Sequence, residues 1–150
     1  MELNDEVVIN ATRDDVYAAL NDPEVLQACI PGCEELTKNS DTELEAKVLL
    51  KIGPVKARFS GTVVLDNAGA PEKFSLMGEG NGGAVGFAKG GADVTLDEAD
   101  GQTTLRYTAK ADVGGKIAQL GSRLIVSTSK KLSAKFFANF AETFENEEPA

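Results

Sequence analysis

Asn21-Asp-Pro-Glu-Val-Leu-Gln-Ala-Cys-Ile-Pro-Gly-Cys33 reads as a short helix with a start signal at one end and a stop signal at the other. Asp22 is placed to accept bonds from the first free amides. Pro23 suits the first helical position, where its missing N–H has no partner to lose. Ile30-Pro31-Gly32 forbids continuation, because a residue before proline is pushed out of the helical region. The helix therefore runs from about Pro23 to Ala28. A helix this short has no stability of its own and must lie on a larger body. We read it as the element that closes the mouth of a cavity.

Upstream, Val7-Val8-Ile9 reads as a strand. Thr12-Arg-Asp-Asp15 resembles a capping box, with aspartate in the place of glutamate, and opens a helix whose apolar face is Val16, Ala19 and Leu20. The glycosylation sequon Asn10-Ala-Thr12 is better explained by that cap. Downstream, from about Glu34 to Val113, the pattern changes to period two. Leu44, Ala46, Val48, Leu50 and Ile52 share one face, opposite Glu45, Lys47 and Lys51. After Gly53-Pro54, the residues Val55, Ala57, Phe59, Gly61, Val63 and Leu65 share a face. A turn at Asn67-Ala-Gly-Ala-Pro71 precedes a strand beginning Phe74-Ser-Leu76. Ala92, Val94 and Leu96, then Leu105, Tyr107, Ala109, Ala111 and Val113 beyond the Asp100-Gly101 turn, repeat the alternation. This is an antiparallel sheet with one face buried and one in water.

The last element reads as one long helix from about Lys116 to Phe144. Ile117, Leu120, Leu124, Thr128, Leu132, Phe136, Phe140 and Phe144 trace its apolar stripe, and Lys116, Arg123 and Lys130 recur away from it. Glu145-Asn-Glu-Glu-Pro-Ala150 is too polar to pack, so we expect one domain over residues 1–146 and a frayed acidic tail over 147–150. The order is strand, two short helices, a run of strands and a long helix. It predicts an α+β architecture in which a curved antiparallel sheet grips the terminal helix and the short helices close one end of the gap.

At 150 residues the chain fits one domain with one substantial core. No apolar run reaches the roughly 20 residues needed to cross a bilayer. The acidic start Met1-Glu-Leu-Asn-Asp-Glu6 does not read as an export signal, so a cytoplasmic protein is expected. The net charge of −9 disfavours nucleic acid, whose phosphates need clustered Lys and Arg. Histidine is absent, which removes the commonest general base and metal ligand and makes a Ser-His-Asp triad impossible. Cys29 and Cys33 are too few for structural zinc, and we expect free thiols without metal.

The glycine-rich run Gly78-Glu-Gly80-Asn-Gly-Gly83-Ala-Val-Gly86-Phe-Ala-Lys-Gly90-Gly91 contains G-x-G-x-x-G, but a strand pattern follows it where a dinucleotide site needs a helix. A bulged hairpin fits better. If Gly86, Ala88 and Gly90 face the helix, their missing side chains leave empty space beneath it. The carboxylates Asp14/Asp15, Glu34/Glu35 and Asp97/Glu98/Asp100 sit at helix starts or turns and read as solvated charges rather than an acid and base in one cleft. The basic residues of the terminal helix read most simply as a wet face, with membrane-surface or partner contact as the sharper alternative.

Five segments together resemble a known family. They are Asn21-Asp-Pro-Glu-Val-Leu26, Cys29-Ile-Pro-Gly-Cys-Glu34, Gly53-Pro-Val-Lys-Ala-Arg-Phe-Ser-Gly61, Gly83-Ala-Val-Gly-Phe-Ala-Lys-Gly90 and Val113-Gly-Gly-Lys-Ile-Ala-Gln-Leu-Gly-Ser-Arg123. They look like the carbon monoxide dehydrogenase G-subunit family, of the START-like, helix-grip superfamily of hydrophobic-ligand binders. The resemblance covers nearly the whole chain, and its motifs are structural rather than catalytic. It implies an accessory protein of a molybdenum-containing dehydrogenase, acting in maturation or membrane recruitment or in handling a quinone-like ligand. No covalently bound cofactor is implied. The partners expected are a lipophilic small molecule and the proteins of a molybdenum hydroxylase, with peripheral contact at the inner face of the membrane.

The candidate lining residues are Val25, Leu26, Cys29 and Ile30 at the mouth, Leu50, Phe59, Phe74 and Phe87 on the sheet, and Ile117, Leu120 and Leu124 on the helix. Leu124 is expected to roof a cavity of a few hundred cubic ångströms, with Leu132 and Phe136 in solid core. The alternatives are a cyclase of the polyketide type, for which Tyr107 and Arg106 are the nearest polar groups, and a pure adaptor with a filled core.

Overall fold

The computed structural model describes residues 1–145, so the expected tail lies outside the described residues. Seven strands form one antiparallel sheet: β1 (Glu2–Ile9), β2 (Cys33–Ser40), β3 (Glu43–Ile52), β4 (Val55–Asp66), β5 (Lys73–Asn81), β6 (Phe87–Ala99) and β7 (Gln102–Gly114). Their order is β1-β7-β6-β5-β4-β3-β2. β1 and β2 are consecutive in the chain yet lie at opposite edges. The helices joining them, α1 (Arg13–Leu20) and α2 (Pro23–Cys29), therefore cross the sheet at one end of its concave face. The long helix α3 (Ser122–Glu145) packs against α2 and β1 on that face.

Both short helices start as their sequences require. The Thr12 hydroxyl accepts from the Asp15 amide at 3.3 Å, and the Asp22 carboxylate accepts from the Glu24 amide at 2.9 Å with Pro23 in the first turn. The alternation also holds. Leu44, Ala57, Phe59, Leu65, Phe74, Val94, Leu96 and Leu105 are buried, while Glu45, Lys47, Arg58, Asp93 and Arg106 are exposed on the outer face. β1 reaches back to Glu2, further than its apolar trio implies, because backbone pairing with β7 continues to Glu2↔Lys110.

The terminal helix is not continuous from Lys116. Lys116–Leu120 form a separate 3-10 turn, bounded by Gly115 (φ 81°) and Gly121 (φ 96°), and α3 begins only at Ser122. Backbone at these angles suits glycine and ends a helix there. Ile117 is thereby detached from the α3 stripe and buried against Ala57 and Phe59, with Leu120 packed beside them.

The main core joins Ile9, Val16, Cys29, Phe74, Val94, Leu96, Leu105 and Phe140, where α1, α2 and the C-terminal half of α3 meet the sheet. A second cluster of Leu26, Leu44 and Leu65 lies beside it. Asn139 donates to the Cys29 carbonyl at 3.0 Å and so ties the end of α2 to α3.

The turn after α2 depends on one glycine. Gly32 has φ 78°, its carbonyl accepts from the Leu49 amide at 2.8 Å, and a Cβ there would collide with the Leu49 carbonyl oxygen. Both the angle and the space exclude a side chain, so Gly32→Ala should destabilise the fold by about 2 kcal/mol or more. A urea titration would show a lower midpoint. An unchanged midpoint would mean that this turn readily rearranges.

Candidate functional site

A cavity of about 370 Å³ lies between the middle of α3 and the concave face of the sheet. Leu132, Ser133, Phe136 and Phe137 of α3 form one wall. Phe74, Leu76, Ala92, Val94, Leu105 and Tyr107 of the sheet form the floor, with Leu50 at the side. Leu20 at the end of α1 and Leu26, Ile30 and Pro31 at the end of α2 close the remaining side. The capped helix that stops at Ile30-Pro31 therefore does border a cavity, because the enforced stop leaves two apolar side chains on its rim.

The volume has a local cause. On the helix-facing side the strand register places Leu76, Ala92 and Ala109 in one row. Small side chains beneath α3 leave depth that large ones would fill. Ala92 lines the cavity, whereas Gly86, Ala88 and Gly90 do not. A Cβ at Gly86 would run into the Gly114 carbonyl, and one at Gly90 into the backbone of β7. Those two glycines serve close backbone approach rather than empty space.

Of the expected lining residues, Leu26, Ile30, Leu50 and Phe74 are on the cavity wall. Val25 and Cys29 belong to the main core, because α2 turns that side toward α1 and α3. Phe59 packs with Ile117, Leu50 and Leu120 in a separate cluster under the 3-10 turn. Leu124 lies over the β3–β4 turn, where a Cβ on Gly53 would come within 2.7 Å of its Cδ2. Phe87 faces outward and is 48% exposed. β6 pairs without a bulge from Phe87↔Gly114 onward, so the parity that turns Ala92 inward turns Phe87 out, where its ring covers Gly114. Leu132 and Phe136, expected in solid core, instead form the cavity wall, and the packed position is Phe140, with 0% exposure.

An aromatic chain braces the wall. Tyr107 stacks on Phe137 at 5.2 Å, Phe137 meets Phe136 edge to face at 5.0 Å, and Phe136 stacks on Phe140 at 5.9 Å. Ionised groups lie elsewhere. Arg106 is on the outer face, donating to Glu6 at 2.8 Å and to Asp97. Both cysteines are free thiols, and burial pushes the Cys33 thiol up, which keeps it protonated. Among the described residues, no three metal-ligating side chains cluster.

On the outer face, Arg58 grips Glu34 with two donors, one at 3.0 Å, and this hydrogen bonding holds the Glu34 carboxyl below its ordinary value. A depressed folded pKa stabilises above the ordinary carboxylate value, and the contribution is lost as pH falls through the folded one. Both groups are exposed, so the contribution is small. In Arg58→Gln the Glu34 pKa should rise toward its ordinary value in an NMR titration. An unchanged value would show that the pair does not form in solution.

A curved antiparallel sheet closed around a C-terminal helix, with two short helices near one end, is the START-like helix-grip fold. The same fold recurs in a START superfamily protein from Mycobacterium smegmatis (TM-score 0.74, 11% identity, covering 98% of this chain and 99% of that one). It recurs also in an aromatase/cyclase from a Streptomyces species (TM-score 0.74, 12% identity, 100% and 96% covered). Identities this low speak for the fold alone. A conserved protein from Geobacillus kaustophilus is more similar, with a TM-score of 0.89 and 28% identity over 97% of this chain and 95% of that one. A search of curated proteins gave no match. The family model of the carbon monoxide dehydrogenase G subunit (CoxG) matches residues 6–144, and the chain belongs to that family.

Proposed function

We propose that the protein is a non-catalytic carrier that takes a lipophilic, quinone- or lipid-like molecule into the cavity under α3. It would present that molecule to a molybdenum-containing dehydrogenase of the carbon monoxide dehydrogenase type. The observation that carries this reading is the cavity itself, whose volume lies within the range of ordinary ligand sites and whose lining residues are apolar apart from Tyr107 and Ser133. The partner class is supported by the family, and the role there is recruitment, maturation or delivery of an electron acceptor. A cyclase is less well supported, because Arg106 is held on the outer face by two carboxylates and, among the described residues, no acid–base pair lines the cavity.

Charge placement supports peripheral contact with an anionic membrane. No acidic residue occurs between Val113 and Ala141, a stretch that holds Lys116, Arg123, Lys130, Lys131 and Lys135, although the chain carries −9. All five are exposed. Exposed basic residues attract anionic headgroups, an attraction that salt screens. No helix among the described residues is long and apolar enough to cross a membrane. The carrier reading is tested by native mass spectrometry of gently purified protein. A retained lipophile at unit stoichiometry supports it, and repeated recovery of the bare mass from lipid-supplemented preparations contradicts it.

A further inference from the structure

The outer face of the sheet, opposite the cavity, carries a hollow of about 800 Å³ over β4 to β7. Gly91 leaves part of its floor without a side chain, and Val64 and Met77 stand in the same row across the strands. Both are exposed, Val64 at 53% and Met77 at 72%. An apolar knob beside an empty position marks a contact surface on an otherwise solvated face. The charges around it come close to balance. Lys89 and Lys110 stand among Glu2, Glu79 and Asp112, in a chain that carries −9. All five are exposed, and none forms an ion pair among the described residues.

Cross-strand pairing arranges these groups as a self-complementary set. Met77 is the register partner of Gly91, and Glu79 of Lys89, on the adjacent strands β5 and β6. A twofold axis between two stacked copies, running along the line that separates β5 from β6, exchanges those strands. Met77 of each copy then stands over Gly91 of the other, Glu79 over Lys89, and Val64 over the aliphatic stem of Lys110. Sheets stacked this way keep their strands roughly aligned, an ordinary packing of sheet on sheet. A strongly charged partner would meet almost no net field here, whereas a second copy offers a knob for the hollow and an opposite charge for Glu79 and for Lys89. We propose that this face joins two copies of the chain in a reversible twofold dimer, with Met77 of each seated in the other's hollow at Gly91. Only the central strands meet, so the contact belongs to the small, transient class. Exposed ion pairs are worth little, so Met77 supplies the attraction and the charges set the register. The face lies across the sheet from the cavity and α3, and the proposal is independent of the carrier reading.

Sedimentation equilibrium of the whole chain at low salt, from micromolar to millimolar concentration, tests this. The wild type should show a monomer–dimer equilibrium. Met77→Ser should weaken it at least about tenfold, because two thioether side chains lose their burial. Glu79→Lys and Lys89→Glu should each weaken it at least about tenfold as well, since like charges then face each other twice. An equimolar mixture of these two variants should dimerise again, because each altered residue then meets an opposite charge. Misfolding cannot be rescued by such mixing, and thermal melts verify that each variant is folded. A wild type that stays monomeric at every concentration, which would assign the face to a different protein, overturns the proposal. So does unchanged dimerisation of Met77→Ser or of the single charge variants, or a mixture that stays monomeric.

Discussion

Phe140→Ala is expected to cost about 3–5 kcal/mol, the loss typical of a fully buried aromatic, and to lower Tm by about 10 °C. Phe140 has no exposed surface, stacks on Phe136, meets Phe144 edge to face at 5.3 Å, and shares a core with Ile9, Val16 and Cys29. The void left by truncation would be enclosed on all sides, so the structure could collapse around it only in part. Phe136→Ala, one turn earlier, should cost clearly less, because one side of that ring already faces the cavity and has fewer partners to lose. Equal melting losses for the two variants would mean that the space beside Phe136 is filled in solution.

Leu132→Trp should have the largest effect on binding with little effect on folding. A larger side chain in a packed core costs about 1–3 kcal/mol through strain. Leu132 borders about 370 Å³ of space, and an indole ring pointing into it would occupy room otherwise left for a ligand. Uptake of methyl nonyl ketone should fall to the limit of detection, with Tm within a few degrees of wild type. Leu124→Trp is the control. Leu124 lies over Gly53 at the far end of the helix, outside the cavity, and its replacement should leave uptake unchanged. If Leu124→Trp blocks uptake and Leu132→Trp does not, the cavity lies at the wrong end of α3.

Much of the fold can be read in the residues because local and global demands agree. The caps at Thr12 and Asp22 and the inward parity of Phe74, Val94 and Leu105 follow from side-chain chemistry and the two-residue period of a strand. The break at Gly121 is less legible, because Ile117 and Leu120 fall by chance into step with the α3 stripe, while a positive φ leaves no mark on hydrophobic spacing. Phe87 is misplaced for a related reason. Glycines at 90 and 91 invite a bulge that would reset parity, yet the pairing runs through them unbroken.

The site is half legible. Leu26, Ile30, Leu50 and Phe74 can be chosen from position, and the same parity argument reaches Leu76, Ala92 and Tyr107. What the residues alone do not supply is the point along α3 at which packing gives way to space. Leu124, Leu132, Phe136 and Phe140 share one stripe, and nothing in the stripe tells a cavity wall from a core. The distinction depends on the strand register opposite, which sets Ala92 and Ala109 side by side beneath the helix.

The central claim is that a lipophile enters between the middle of α3 and the sheet. Methyl NMR with labelled leucines during titration with methyl nonyl ketone tests it most directly. The account predicts saturable shifts for Leu26, Leu50, Leu76 and Leu132, which line the cavity, and none beyond the noise for Leu124. Shifts confined to Leu124 and Leu120, or no saturable shift in any leucine methyl, would contradict it.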